Sequence, residues 1–307
     1  MDTVASPSQG GPTVEGSAAV PPARAPAARG RKQRPPRALL SLSERDLAVL
    51  ELAAEHRVVQ AAQIARLLAV SEGTARARLA RLAAVGLVRA ARPYDRQPQI
   101  HQITAAGLRA TGSALAPPRL DLALLRHDLG LGWLWLAARD GAFGPLRELH
   151  SERAIRSREG LPGAALPPAA ERLAVAIGGY GPGGGRRLHH PDLVFVSAGG
   201  RRVGVELELS GKGKARLERI IAGYAIDTRY DLVIYLTDNP RIAEQVRSAA
   251  RRAGALELVR VARVELPSER HALGLARAAV RASAPSLASG THGRRPANRV
   301  APEVHPP

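Results

Sequence analysis

His189-His190-Pro191-Asp192-Leu193-Val194-Phe195-Val196 leads through Ala198-Gly199-Gly200 into Val203-Gly204-Val205-Glu206-Leu207-Glu208-Leu209, and the reading of the chain turns on this stretch. Two apolar runs of strand length joined by a Gly-Gly loop predict a β-hairpin. Side chains alternate across a strand, so Val203, Val205, Leu207 and Leu209 fall on one face. Glu206 and Glu208 share the other face, beside Gly204, and Asp192 stands at the start of the partner strand, where it can meet either of them. Three gathered carboxylates repel one another unless a proton or cation intervenes, and their hard oxygen atoms suit Mg²⁺ or Mn²⁺. The same pattern also describes a solvent-facing acidic stripe on an edge strand. The pattern alone leaves the two readings even.

Toward the C-terminus, Ser210-Gly211-Lys212-Gly213-Lys214 opens a helix with Leu217, Ile220, Ile221 and Tyr224 inward and Arg216 and Arg219 outward. Asp231 to Thr237 reads as a buried strand parallel to a neighbour. A helix over about Pro240–Ala253 and a last strand over Leu256–Leu266 follow. On the N-terminal side, Asp121–Asp140 has helical spacing of Leu122, Leu125, Leu129, Trp133 and Leu136, which makes Trp133 and Trp135 core or near-core residues. His127 and Asp128 are candidate polar members of a site, although a surface or buried-polar role is the more ordinary reading. Leu146–Ile155, with His150 and Glu152, reads as a strand. Gly178–Gly185 lacks the Gly-Lys-Ser/Thr ending of a phosphate-cradling loop and reads as a flexible connector.

Helix, three strands, helix, strand, with Pro-Asp on the second strand and Glu-x-Glu on the third, resembles the PD-(D/E)xK nuclease superfamily. The resemblance matches Asp192 to the motif's Asp and Glu206 to its second acid. It implies that Asp192, Glu206 and Glu208 hold the metal. The motif's lysine position is occupied by Glu208. Whether Lys212 or Lys214 replaces that lysine stays open, and with it whether DNA is cut.

Further upstream, Ser43 is an N-cap with Asp46 three residues on, a shorter stand-in for the Glu or Gln of a capping box. The helix it opens carries Leu47, Leu50, Leu52, Ala53 and Ala54. A short helix over Gln60–Leu68 precedes the turn Ala69-Val70-Ser71-Glu72, and Ser71 caps a third helix to about Val85. Leu79 and Leu82, with Ala75 and Ala83, face the core, leaving Thr74, Arg76, Arg78 and Arg81 for the outer surface. Arg on such a helix can bond guanine O6 and N7 in the major groove. After Gly86, Leu87–Ala91 and Gln99–Thr104 form a hairpin whose tip holds Arg92, Tyr94, Asp95, Arg96 and Gln97, and basic Arg92 and Arg96 suit the phosphate backbone. Ser71 to Val88 followed by a hairpin resembles the winged helix of many bacterial DNA-binding proteins. The bland alternative is a small helical domain that binds protein.

The fold expected is therefore an α+β winged helix-turn-helix over residues 42–113, followed by an α/β PD-(D/E)xK-like domain over 119–281. That second domain has a mixed sheet flanked by helices, and residues 1–41 and 282–307 are disordered tails. The whole order resembles the replication-relaxation family of plasmid and mobile-element proteins, which implies a role in plasmid replication, DNA relaxation or transfer.

Composition bounds these readings. The 307 residues carry 45 Lys and Arg against 27 Asp and Glu, a formal charge of +18 that calls for a polyanionic partner. Double-stranded DNA is the expected partner, with a second copy of the chain as a further one. The basic residues are nearly all Arg, so codon bias is the alternative source of part of the excess. No cysteine is present, which excludes disulfides, thiolate zinc sites and cysteine nucleophiles. No apolar run approaches a membrane span or a signal-peptide core, so a cytoplasmic, membrane-free protein is expected. Three functions fit: a DNA-binding protein of plasmid or mobile-element replication with metal-dependent endonuclease (nickase) chemistry; a non-catalytic winged-helix transcriptional regulator whose nuclease-like half is a dimerisation or partner-binding platform; and an adaptor in which the Arg excess is genomic. Salt dependence of DNA binding separates the third from the others.

Overall fold

Ser43 opens the first helix as its spacing demands. Its hydroxyl accepts from the Asp46 amide, and the Asp46 carboxylate returns a bond to the Ser43 amide at 3.1 Å. The computed structural model describes residues 41–267 apart from Arg96, 160–166 and 182–184. The expectations for both tails and for Arg96 lie outside the described residues.

The chain forms α1 (Glu44–Glu55), β1 (Val59–Gln60), α2 (Ala61–Leu68), α3 (Glu72–Ala84), β2 (Val88–Ala91), β3 (Ile100–Ile103) and α4 (Ala105–Ala110). Strands β1, β3 and β2 make an antiparallel sheet in that order, with Val59 opposite His101 and Val88 opposite Ile103. Ser71 caps α3 through the Thr74 amide at 3.1 Å. The turn before it needs Ala69 in the left-handed region, at φ 53°.

After a 3₁₀ turn at Leu122–Leu124 come α5 (Leu125–Arg139), β4 (Leu146–Ser151), α6 (Glu152–Glu159), β5 (Val175–Tyr180), β6 (Arg186–His189), β7 (Leu193–Ser197), β8 (Arg202–Leu207), α7 (Lys214–Ile226), β9 (Leu232–Thr237), α8 (Pro240–Arg252) and β10 (Val259–Arg263). Five strands form a mixed sheet in the order β10-β9-β8-β7-β4. The pairs β4–β7 and β7–β8 are antiparallel, while β8–β9 and β9–β10 are parallel. One face packs Leu193, Phe195, Val203, Val205 and Leu207 into a cluster shared with α5 and with α1–α3. The other packs Val194, Val233 and Tyr235 against Leu217, Ile221 and Tyr224 of α7 and Val246 of α8. The architecture is thus α+β, with a mixed sheet between helical layers.

Three local expectations are corrected. The strand expected over Leu146–Ile155 stops at Ser151, because the Ser151 hydroxyl accepts from the Ala154 amide at 3.1 Å and starts α6. The connector expected over Gly178–Gly185 begins later: Gly178, Gly179 and Tyr180 belong to β5, which pairs with β6, Val175 with His189 and Tyr180 with Arg186. The last strand, expected over Leu256–Leu266, is confined to β10, Val259–Arg263.

The helix α5 sits hard against α2. A Cβ on Gly132 would lie 2.5 Å from Gln63 Nε2, which itself donates to the Leu129 carbonyl at 3.0 Å. Trp133 is buried, and Trp135 lies edge-on to His56 with Arg139 over its ring. No helix among the described residues is long and apolar enough to cross a membrane.

Candidate functional site

The acidic residues singled out in the sequence lie where β8 ends. β8 is the middle strand of five, so its alternate side chains meet helices on both faces, and Asp192, Glu206 and Glu208 are 8%, 1% and 4% exposed. The solvent-facing edge stripe is thereby overturned. The site opens at the carboxyl ends of parallel β8 and β9, the end at which open α/β sheets bind ligands.

Each carboxylate has its own donors. Asp192 Oδ2 accepts from the Leu207 amide at 2.8 Å and from His127 Nε2 at 3.3 Å. Glu206 Oε1 accepts from Tyr224 Oη and His189 Nε2, both at 2.6 Å. Glu208 pairs with the Lys212 ammonium, and its backbone amide bonds the Leu236 carbonyl at 2.8 Å. Burial pushes Glu206 up, but His189, Lys212 and Tyr224 hold its carboxyl below the usual range. Burial raises Glu208, and the nearby Glu206 and Asp192 charges add to the rise against the pull of Lys212. Lys212 loses by burial yet is held above its ordinary value by Glu206, Glu208 and Asp192. Tyr224 is raised by burial and by Glu206, so it stays a hydroxyl that donates.

Beside His127 Nδ1, two polar atoms of this cluster make no hydrogen bond. Glu206 Oε2 and the Tyr235 hydroxyl are buried without a hydrogen bond in the protein, and Tyr235 is the β9 residue opposite Glu206. An orphaned buried carboxylate oxygen is costly unless something polar or cationic meets it. Among the described residues no group of three or more His, Asp or Glu side chains is placed to hold a metal ion, and the Lys212 ammonium sits on Glu208.

Of the two candidate lysines, the structure brings Lys212 into the cluster and leaves Lys214 exposed at the start of α7. His127 and Asp128 both join the site, Asp128 at 3% exposure. His127 would fall by burial but is lifted to about 10 by Asp128 and Asp192. Nothing in the sequence marks His189 or Tyr235, and Tyr224 reads there as plain core. The helical spacing of Tyr224 placed it inward, and only its hydroxyl hinted at a buried acceptor.

The surface of α3 divides differently from the expectation. Thr74 and Arg76 are exposed; Thr74 shares a 2.9 Å hydrogen bond with Ser71, and Arg76 pairs with Glu72 at 2.6 Å. Arg78 is no outward side chain: it bonds buried Asp46 at 2.5 Å, and Arg81 reaches the same oxygen while staying half exposed. A buried carboxylate at the start of α1 demands countercharge, and arginines three apart on α3 supply it. Arg92 is exposed just past β2, near exposed Tyr94 and Asp95. No family model, no curated protein and no solved structure matches the chain.

Proposed function

We propose that the chain is a DNA-binding protein of the replication-relaxation type, acting in plasmid or mobile-element replication, relaxation or transfer. In this reading residues 42–113 are a winged helix-turn-helix: α2 and α3 are the helical pair, and the hairpin β2–β3 is the wing. Support comes from the strand order β1-β3-β2, from exposed Thr74 and Arg76 on α3, and from Arg92 at the hairpin tip. The half beyond residue 119 is a PD-(D/E)xK-like module, supported by α5, β4, β7, β8, α7 and β9 in the order that carries the resemblance.

The observation that carries the reading is the buried trio Asp192, Glu206 and Glu208 with the unpartnered Glu206 Oε2. These three residues would hold Mg²⁺ or Mn²⁺. A divalent ion there supplies an activated water and neutralises charge developing on a scissile phosphate. Tyr224 and His189 aim Glu206 by occupying its other oxygen. His127 and the Leu207 amide orient Asp192. Lys212, released from Glu208, places an ammonium beside the reacting phosphate in the role of the motif's missing lysine.

The test is nicking of supercoiled plasmid with Mg²⁺ or Mn²⁺ by wild type, Glu206→Ala and Asp192→Ala. Metal-dependent relaxation lost in both variants is expected, and full activity in either removes the site. A second reading, a non-catalytic winged-helix regulator, is favoured by the Lys212–Glu208 pair, which neutralises one acid without a metal. It predicts plasmid binding by wild type with no nicking.

A further inference from the structure

We infer that the β5–β6 ribbon, with the exposed face of α7 beside it, is a second nucleic-acid surface and that it takes single-stranded DNA. The inference rests on the reading of the chain as a DNA-binding protein and needs no metal ion. β5 and β6 form a two-stranded sheet of their own, apart from the five-stranded one. Val175 is buried in the cluster that holds α7, and β5 lies so close to that helix that a Cβ on Gly223 would stand 2.6 Å from the Ala176 carbonyl. His189 ends β6 and bonds Glu206, so the ribbon is rooted at the acid cluster.

Beyond that root the ribbon is uncovered. Tyr180 stands opposite Arg186 and Ala176 opposite Leu188, and cross-strand partners share a face. All four are exposed, Tyr180 at 78%. Arg187 is exposed on the other face of β6, the face that His189 occupies two residues on. Along α7, Arg219 and Arg216 stand one and two turns before Gly223, on the helix side that the ribbon meets, and both are exposed. The side chains of these four arginines make no ion pair or hydrogen bond among the described residues. Exposed Arg76, Arg156 and Arg252 each hold a glutamate. The ribbon has no such counter-charge, since Val175 to His190 contains no Asp or Glu. Arginine alone would serve to protect a sheet edge from pairing, but edge protection does not call for an open tyrosine and leucine beside it. Unpaired arginines suit phosphate. Tyr180 selects the single strand: an unpaired base stacks on an exposed aromatic ring, whereas the base faces of a duplex are already stacked on one another. Arg186, directly across the ribbon, supplies charge for the phosphate of the stacked nucleotide.

The full chain is titrated into a fluorescein-labelled oligothymidylate, and into a duplex of the same length, with anisotropy read over a range of salt. Tyr180→Ala is expected to weaken oligothymidylate binding about ten-fold, and duplex binding less. Arg186→Ala combined with Arg187→Ala is expected to flatten the slope of log-affinity against log-salt on the single strand by about 1.4, the share of two phosphates. Melting temperatures are expected to stay at the wild-type value, because all three side chains are exposed. Wild-type affinity for oligothymidylate in these variants, or equal losses on strand and duplex, overturns the inference while leaving DNA binding standing. A wild type that binds the duplex and not the single strand does the same. Self-association that Tyr180→Ala abolishes, with oligothymidylate affinity unmoved, would give the ribbon to a second copy of the chain and also overturn it. A wild type that binds neither probe overturns the DNA-binding reading itself.

Discussion

Asp46 and Glu206 are both carboxylates at 1% exposure, one in each half of the molecule, and the protein treats them in opposite ways. Asp46 has every acceptor answered: Oδ2 takes the Ser43 amide and hydroxyl, and Oδ1 takes Arg78 and Arg81. Glu206 has two donors crowded on Oε1 and none on Oε2. A fully bonded buried charge fastens two elements together, here α1 to α3. A half-bonded one holds binding capacity in reserve at a cost in stability, which is how ligand sites differ from structural ones. The same contrast reassigns Arg78, which serves Asp46.

The largest expected effect lies at Asp46. Asp46→Ala removes a helix cap and strands two arginines, so chemical denaturation should show a loss of about 2–3 kcal/mol. Glu206→Gln keeps an oxygen for Tyr224 and His189 and should lose clearly less. Equal losses would make Glu206 another structural bolt and end the contrast.

Next comes pH. His127 holds its proton to about pH 10 in the fold against an ordinary 6.5, so its contribution is complete below 6.5 and is lost as pH rises toward 10. His56, at about 3, and His101 and His190, at about 4, are kept neutral mainly by burial. Their contribution is present above 6.5 and is lost as pH falls toward those values. Melting temperature should therefore decline on both sides of neutrality, and His127→Gln should flatten the alkaline limb alone. An unchanged alkaline limb in that variant would show that His127 is not held by its two aspartates.

The α3 arginines give smaller effects. Arg78→Ala should destabilise by about 1 kcal/mol, while Arg76→Ala, an exposed i,i+4 pair, should change stability by less than about 0.5 kcal/mol. In DNA binding the order reverses. Arg76→Ala should flatten the log-affinity against log-salt slope by about 0.9, the contribution of one phosphate contact. A slope unmoved by Arg76→Ala would take that residue off the DNA interface.

Much of the fold is legible in local chemistry. Ser43 with Asp46 and Ser71 with Thr74 mark helix starts that the structure keeps, and the apolar runs of β7, β8 and β9 stand within a residue or two of their expected places. The hairpin β5–β6 is illegible because two of its glycines, Gly178 and Gly179, sit at φ 73°, and its exposed pattern resembles a loop. The acids are legible as a group but not as buried. A period of two cannot tell a central strand from an edge, and only the strand order places β8 in the middle. Their donors are distant in sequence: His189 and Tyr224 lie 17 and 18 residues from Glu206, and His127 lies 65 from Asp192. Nothing local announces such pairs.

The most direct test of the account is the melting temperature of wild type and Glu206→Gln across a MnCl₂ titration. A cation that binds the native state adds about 2.7 kcal/mol at a hundred times its dissociation constant. The account predicts that wild type rises with MnCl₂ and Glu206→Gln does not. Parallel rises in both, or a wild type indifferent to Mn²⁺, would contradict the claim that the free oxygen of Glu206 marks a cation site.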